Sequence, residues 1–74
     1  MHYVYILRNR NEEYYIGFSS NLRRRVKQHS SLRPGFKLVY YESYERSELA
    51  RRRERNLKSY GSAWRGLKSR IGDV

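Results

Sequence analysis

From His2 to Leu7, branched and aromatic residues alternate sides. Tyr3, Tyr5 and Leu7 fall on one face and Val4 and Ile6 on the other, the period-two pattern of a strand. Arg8-Asn9-Arg10-Asn11-Glu12 interrupts it with polar, Asn-rich chain suited to a hairpin loop, and Glu13–Gly17 reads as the returning strand. Ser19-Ser20-Asn21 supplies N-cap residues ahead of Leu22, so a helix is expected from there to about His29. Pro34-Gly35 marks a turn, and Lys37–Tyr44 carries the strongest strand signal of the chain. Ser47-Glu48 offers a cap and an acidic first turn to a second helix ending near Ser59. Gly61 and Ser62 punctuate, and Trp64, Leu67 and Ile71 at helical spacing make Ala63–Ile71 a short third helix, weakened by Gly66. The expected architecture is α+β: a three-stranded antiparallel sheet flanked by helices, in the order β-β-α-β-α-α.

Composition narrows the classes. The chain has 74 residues, enough for one small domain spanning 1–74, and no cysteine, so neither a disulfide nor a Cys-based zinc site holds it together. No apolar run approaches the roughly 20 residues of a membrane span, and no helix offers the broad apolar face of a membrane-surface segment. Eight of the 11 aromatic residues are Tyr, far too many for a disordered basic tail and enough to build a core whose hydroxyls still find partners. Seventeen Lys and Arg against 7 Asp and Glu leave a net charge of +10, which makes a polyanion, first of all nucleic acid, the expected partner.

Some residues break the pattern of their element. At about 100° per residue, His29 lies about 20° from Leu22, on the apolar stripe that Leu22 and Val26 define, with Arg25 on the stripe's flank. In the second helix Glu54 lies within about 40° of Ala50 and 60° of Leu57 by the same count, on the inward face. Arg46, Arg51, Arg52, Arg53, Arg55 and Lys58 surround it in sequence. An inward carboxylate must be paired (Arg25 or another Arg being the structural choice), protonated or bound to a cation. Taken singly, His29 reads as a packing histidine. Arg23-Arg24-Arg25 and Arg51-Arg52-Arg53 read as solvated faces from which one residue of each triplet points inward. Taken together, two strand tyrosines, an inward Arg, an inward His and an inward Glu are the parts phosphodiester cleavage requires. A lone carboxylate with waters suits a hard divalent cation, a guanidinium offsets charge on the phosphate, and a phenolate or imidazole takes a proton from water.

Tyr3-Val4-Tyr5, Tyr15-Ile16-Gly17 and Asn21-Leu22-Arg23-Arg24-Arg25 with His29 resemble the GIY-YIG nuclease superfamily, and specifically its small stand-alone bacterial branch of excinuclease-subunit-C-like endonucleases. Lys37–Glu42 and Arg52-Arg53-Glu54-Arg55-Asn56-Leu57-Lys58 are similar to that branch as well, so the likeness runs from Tyr3 to Ile71. Tyr3 stands where the first motif usually has Gly, while Gly17 keeps the second motif whole. The resemblance implies catalytic roles for Tyr5, Tyr15, Arg25, His29 and Glu54, with Glu54 the ligand of one Mg²⁺ or Mn²⁺.

The expected function is metal-dependent DNA endonuclease, by water attack on phosphorus with inversion, structure-directed or non-specific, in DNA repair or processing in a bacterial cytoplasm. Arg23, Arg24, Arg51, Arg52 and Lys58 are the expected backbone contacts to DNA, which position without reading sequence. Whether Tyr5 or Tyr15 activates water stays open at this point. The alternative function is a non-catalytic nucleic-acid-binding module, for DNA or for RNA with tyrosines stacked on unpaired bases. A separate protein could supply specificity, and the free edge of a three-stranded sheet permits a dimer without demanding one.

Overall fold

A computed structural model describes residues 1–71. Its elements are β1 (His2–Arg8), β2 (Tyr14–Ser19), α1 (Leu22–Leu32), β3 (Lys37–Tyr44), α2 (Ser47–Ser59) and α3 (Gly61–Ile71). The strands form one antiparallel sheet in the order β2-β1-β3, so the β-β-α-β-α-α order and the α+β class hold.

The hairpin between β1 and β2 is closed by Asn9, whose Oδ1 accepts from the amides of Asn11 (3.0 Å) and Glu13 (2.9 Å). That turn places Glu12 at φ 59°, the left-handed region, where a short local hydrogen-bond network offsets the cost of a side chain. Hairpin closure sets the register: Tyr5 stands opposite Gly17, and Leu7 opposite Tyr15. On the other edge Tyr5 pairs with Tyr41 and Val4 with Glu42, with an irregularity between Ile6 and Leu7.

Alternation along β1 then divides the molecule. Val4 and Ile6 point into a core closed by Ala50 and Leu57 of α2 and Leu67 and Ile71 of α3, all buried. Tyr14, Ile16 and Phe18 of β2 and Trp64 of α3 pack around it, Trp64 standing edge-on to Tyr14 with ring centroids 5.1 Å apart. Tyr5 and Leu7 are equally buried on the opposite face, where α1 lies. The sheet is therefore a middle layer, with α2 and α3 on one side and α1 on the other.

Several boundaries differ from the sequence expectation, each for a local reason. Helix α1 runs one turn past His29, to Leu32, and its end is closed by the Arg33 amide donating to the His29 carbonyl at 2.7 Å. Gly61 and Ser62, read as punctuation, are the first turn of α3, and the break falls at Tyr60, whose amide caps α2 on Asn56. Ser47 does not cap α2: Arg46 occupies that position without a side-chain bond. Asn21 does cap α1, its Oδ1 accepting from the Arg24 amide at 3.1 Å.

Candidate active site

The site on the α1 face starts from Gly17. A methyl group there would overlap the phenol end of the Tyr5 ring, so only glycine lets that ring lie flat across β2. Lying there, Tyr5 is fully buried and its hydroxyl meets His29 Nε2 at 2.9 Å. His29 is presented by α1 at the one position of the stripe that faces the hydroxyl, and it keeps only 7% of its surface exposed. Tyr15, diagonal to Tyr5 across the hairpin, completes the cluster: its ring centroid is 4.7 Å from that of His29 and 6.2 Å from that of Tyr5.

Electrostatics fix the protonation of the pair. Burial lowers the His29 pKa from its ordinary 6.5, and the neighbouring Arg25 and Arg33 charges lower it further, so the ring is neutral at pH 7. Burial raises the Tyr5 phenol, Tyr15 and Glu54 add to the rise, and Arg25 opposes it, which keeps the hydroxyl protonated. The Arg25 and Glu54 charges are thus both felt at that hydroxyl, with opposite sign. Nδ1 of His29 is buried without a hydrogen-bond partner among the described residues.

The remaining expected residues are placed as follows. Arg25 was expected to turn inward; it is exposed instead, its guanidinium donating to Gln28 Oε1 at 3.2 Å, because the flank of the stripe lies at the helix's solvent border. Glu54 is half-buried, with 23% of its side chain exposed, and its partner is Lys58 one turn on (3.2 Å) rather than an arginine. That ion pair gives Lys58, expected to touch DNA, a carboxylate partner of its own. Arg23 and Arg24 are exposed at the start of α1, while Arg52 is exposed on α2 and Arg51 lies over the Phe18 ring at 5.3 Å. The basic residues are therefore divided between helices on opposite faces of the sheet.

Two features escaped the sequence reading. Arg33, just past α1, holds its guanidinium 4.6 Å from the centre of the Tyr15 ring, and it lies beyond the helix end expected near His29. Its signal was its spacing of four residues from His29. The second is Glu42, which accepts from Tyr40 (2.6 Å), Tyr44 (2.5 Å) and, through both oxygens, Arg53 (3.0 to 3.3 Å). Burial alone would raise the Glu42 carboxyl, but these bonds from three residues outweigh it and hold the group below its ordinary 4.5. Arg53, not its neighbours Arg51 and Arg52, is the inward member of its triplet.

For a metal, the donor set is the test. Among the described residues no three His, Cys, Asp or Glu side chains gather as a cage. Glu54 presents one oxygen to Lys58 and has no other hydrogen-bond partner among the described residues. A single carboxylate with an oxygen to spare fits a hard cation that keeps most of its waters, and does not fit a cation needing several protein ligands.

Residues 1–68 match the model of the GIY-YIG catalytic domain. The chain is 38% identical to UPF0213 protein CPE1444 of Clostridium perfringens, over 78% of this chain and 71% of that one. It is 33% identical to UPF0213 protein HQ_3675A of Haloquadratum walsbyi, over 80% and 75%. The solution structure of UPF0213 protein BH0048 from Bacillus halodurans superposes with a TM-score of 0.63 at 30% identity, over 96% of this chain and 86% of that one. The match over residues 1–68, the identity to these relatives and the shared fold lead to one conclusion: the chain belongs to the GIY-YIG catalytic-domain family, among the small proteins of its UPF0213 branch.

Proposed function

We propose that this protein is a divalent-metal-dependent DNA endonuclease that hydrolyses a phosphodiester by attack of water, with inversion at phosphorus. The observation that carries the reading is the buried Tyr5–His29 pair on the α1 face, joined at 2.9 Å with the Tyr15 ring against it, where the Arg25 and Glu54 charges are both felt at the Tyr5 hydroxyl. A binding module has no evident need for a carboxylate in that position, since it repels the phosphates that the arginines attract.

Roles follow from exposure and charge. Arg25 is exposed beside the cluster and offsets the charge that develops on the phosphate. Tyr5 has no surface open to water and its hydroxyl is kept protonated, so its role is to hold His29 in place and to present a proton. Tyr15 is the tyrosine that reaches solvent, with the Arg33 guanidinium over its ring, and as the phenolate, its own proton first released to solvent, it is the group we assign to take the proton from the attacking water. Glu54 would hold Mg²⁺ or Mn²⁺, which supplies Lewis acidity toward a phosphate oxygen and the leaving oxyanion. Arg23, Arg24, Arg51 and Arg52 hold the DNA backbone, and the activity belongs to DNA processing or repair in the cytoplasm.

Supercoiled plasmid tests this directly. Wild-type protein with Mg²⁺ or Mn²⁺ should yield nicked circles, and EDTA should stop it. Tyr15→Phe should lose cutting by about a hundredfold or more, the usual scale of a lost general base. Retained cutting in EDTA would refute the metal requirement. Full activity in Tyr15→Phe would move the base to another group.

A further inference from the structure

On the α1 face, next to the catalytic cluster, lies a groove of about 490 Å³. Tyr3 and Tyr41 form its floor, edge to face with ring centroids 6.2 Å apart, and Leu22, Arg23 and Val26 of α1 form its wall. Tyr41 stands opposite the fully buried Tyr5 on the sheet, yet 54% of its surface is exposed. Helix α1 therefore covers Tyr5 and stops short of its cross-strand neighbour.

Most other tyrosines of the chain have their rings or hydroxyls engaged: Tyr5 and Tyr15 with His29, Tyr14 with Trp64, Tyr40 and Tyr44 with Glu42. Tyr41 instead offers a ring at a cleft. A smaller groove, of about 230 Å³, that holds Arg24, Arg25 and Gln28 adjoins it, with Ser20 and Asn21 lining both. Among the described residues no acidic side chain lines either groove.

We propose that the groove over Tyr3 and Tyr41 takes one unpaired nucleobase of the DNA strand whose phosphate lies at Arg25. This rests on the nuclease reading above and adds the class of substrate. A phenol ring offers a stacking platform to a base of any identity, and Arg23 and Arg24 stand where the flanking phosphates of the same strand pass. A base stacked within a duplex cannot present its face to Tyr41. The site therefore selects strands with at least one unpaired nucleotide beside the cut: single strands, frayed ends, flaps or gaps.

Binding in EDTA tests the groove without requiring cleavage. The titrations use fluorescence anisotropy, at fixed salt, with a short labelled DNA strand, its duplex, and RNA of the same sequence. Wild-type protein should bind the single DNA strand more tightly than the duplex. Tyr41→Ala should lose about tenfold on the single strand and almost nothing on the duplex, the scale of one lost base stack. Tyr41→Phe should bind as wild type does. Tyr41→Trp, with Trp64→Phe to remove the other indole, should show emission quenched by single-stranded DNA and not by duplex. Equal losses on both DNA forms, or no loss in Tyr41→Ala, would overturn the proposal. Tighter Tyr41-dependent binding of the RNA strand would assign the groove to RNA instead. If plasmid and single strand stay uncut with metal while the Tyr41-dependent preference persists, the nuclease reading fails and the base-binding groove stands.

Discussion

The arrangement of the α1 face depends on one residue without a side chain. Gly17→Ala puts a methyl group into the Tyr5 ring, which must tilt away and give up its bond to His29. The expected cost is about 1–3 kcal/mol, the scale of overpacking in a full core. Tyr5→Phe, which keeps the ring and removes only the hydroxyl, should cost about 0.5–1.5 kcal/mol. Urea titrations of the two variants check the order, and an alanine variant as stable as wild type would mean that the ring is free to move. His29 adds a pH signature. Its folded pKa lies below the ordinary 6.5 through burial and the Arg25 and Arg33 charges, so the unfolded chain takes up the proton first. The stability of having it neutral is present above pH 6.5 and is lost as pH falls through the lowered folded value. Melting temperatures from pH 7.5 downward should fall over that window in wild type and stay flat in His29→Phe.

At the scale of elements, α2 is held to the sheet by polar contacts as well as by its apolar stripe. Glu42 on β3 takes both its oxygens to Arg53 and accepts the Tyr40 and Tyr44 hydroxyls. Arg53 adjoins Glu54, so this clamp helps to set the orientation of the helix turn that carries the proposed metal ligand. Glu42→Ala leaves the half-buried Arg53 without its carboxylate. It should cost about 2 kcal/mol, between the values for exposed and buried pairs. The folded Glu42 carboxyl titrates below 4.5, so its contribution is present above that pH and disappears as pH falls through the folded value. The Tyr44 hydroxyl, pushed up to about 12 chiefly by burial and then by its bond to Glu42, contributes below pH 10 and loses that contribution as pH rises through about 12. A Glu42→Ala protein that melts with the wild type's temperature and acid sensitivity would contradict this account of the clamp.

What could be read from the chain follows the range of the interactions. Helical and strand periodicity are local, so the faces of β1, the burial of His29, Ala50 and Leu57, and the whole β-β-α-β-α-α order were visible in the sequence. The Tyr5–Gly17 fit depends on the hairpin register, which the two motifs marked as a hairpin without aligning its strands. The wheel also placed Glu54 on an inward arc, although it named an arginine as partner where Lys58, at the helical spacing of four, stands closer to hand. Arg25 was given too much burial because a wheel does not say where a helix's covered arc ends. The Glu42–Arg53 clamp joins β3 to α2 through tertiary packing alone, and nothing in either local pattern announces it.

For the molecule as a whole, charge sets the terms of binding. A net +10 makes DNA affinity fall steeply with salt, through release of counterions from each neutralised phosphate. Arg23→Ala and Arg24→Ala should each lower the slope of log affinity against log salt by about 1, uniformly across DNA sequences. Unchanged slopes would remove those residues from the interface. Among the described residues no helix is long and apolar enough to cross a membrane, and the basic surface is divided by the sheet, with the Arg23–Arg25 side and the Arg51–Arg52 side facing different ways. A strand bound at Arg25 therefore meets the first group before the second, so Arg51→Ala should weaken binding less than Arg24→Ala does, as the same titrations would show.

The central claim, that the α1-face cluster and Glu54 form one hydrolytic site, is tested most directly by measuring cleavage and DNA binding side by side in wild type and Glu54→Ala. The account predicts metal-dependent nicking of plasmid by the wild type. For the variant it predicts no nicking, and DNA binding as tight as wild type or tighter, since a carboxylate that repels phosphate has been removed. Nicking by Glu54→Ala at the wild-type rate would contradict it.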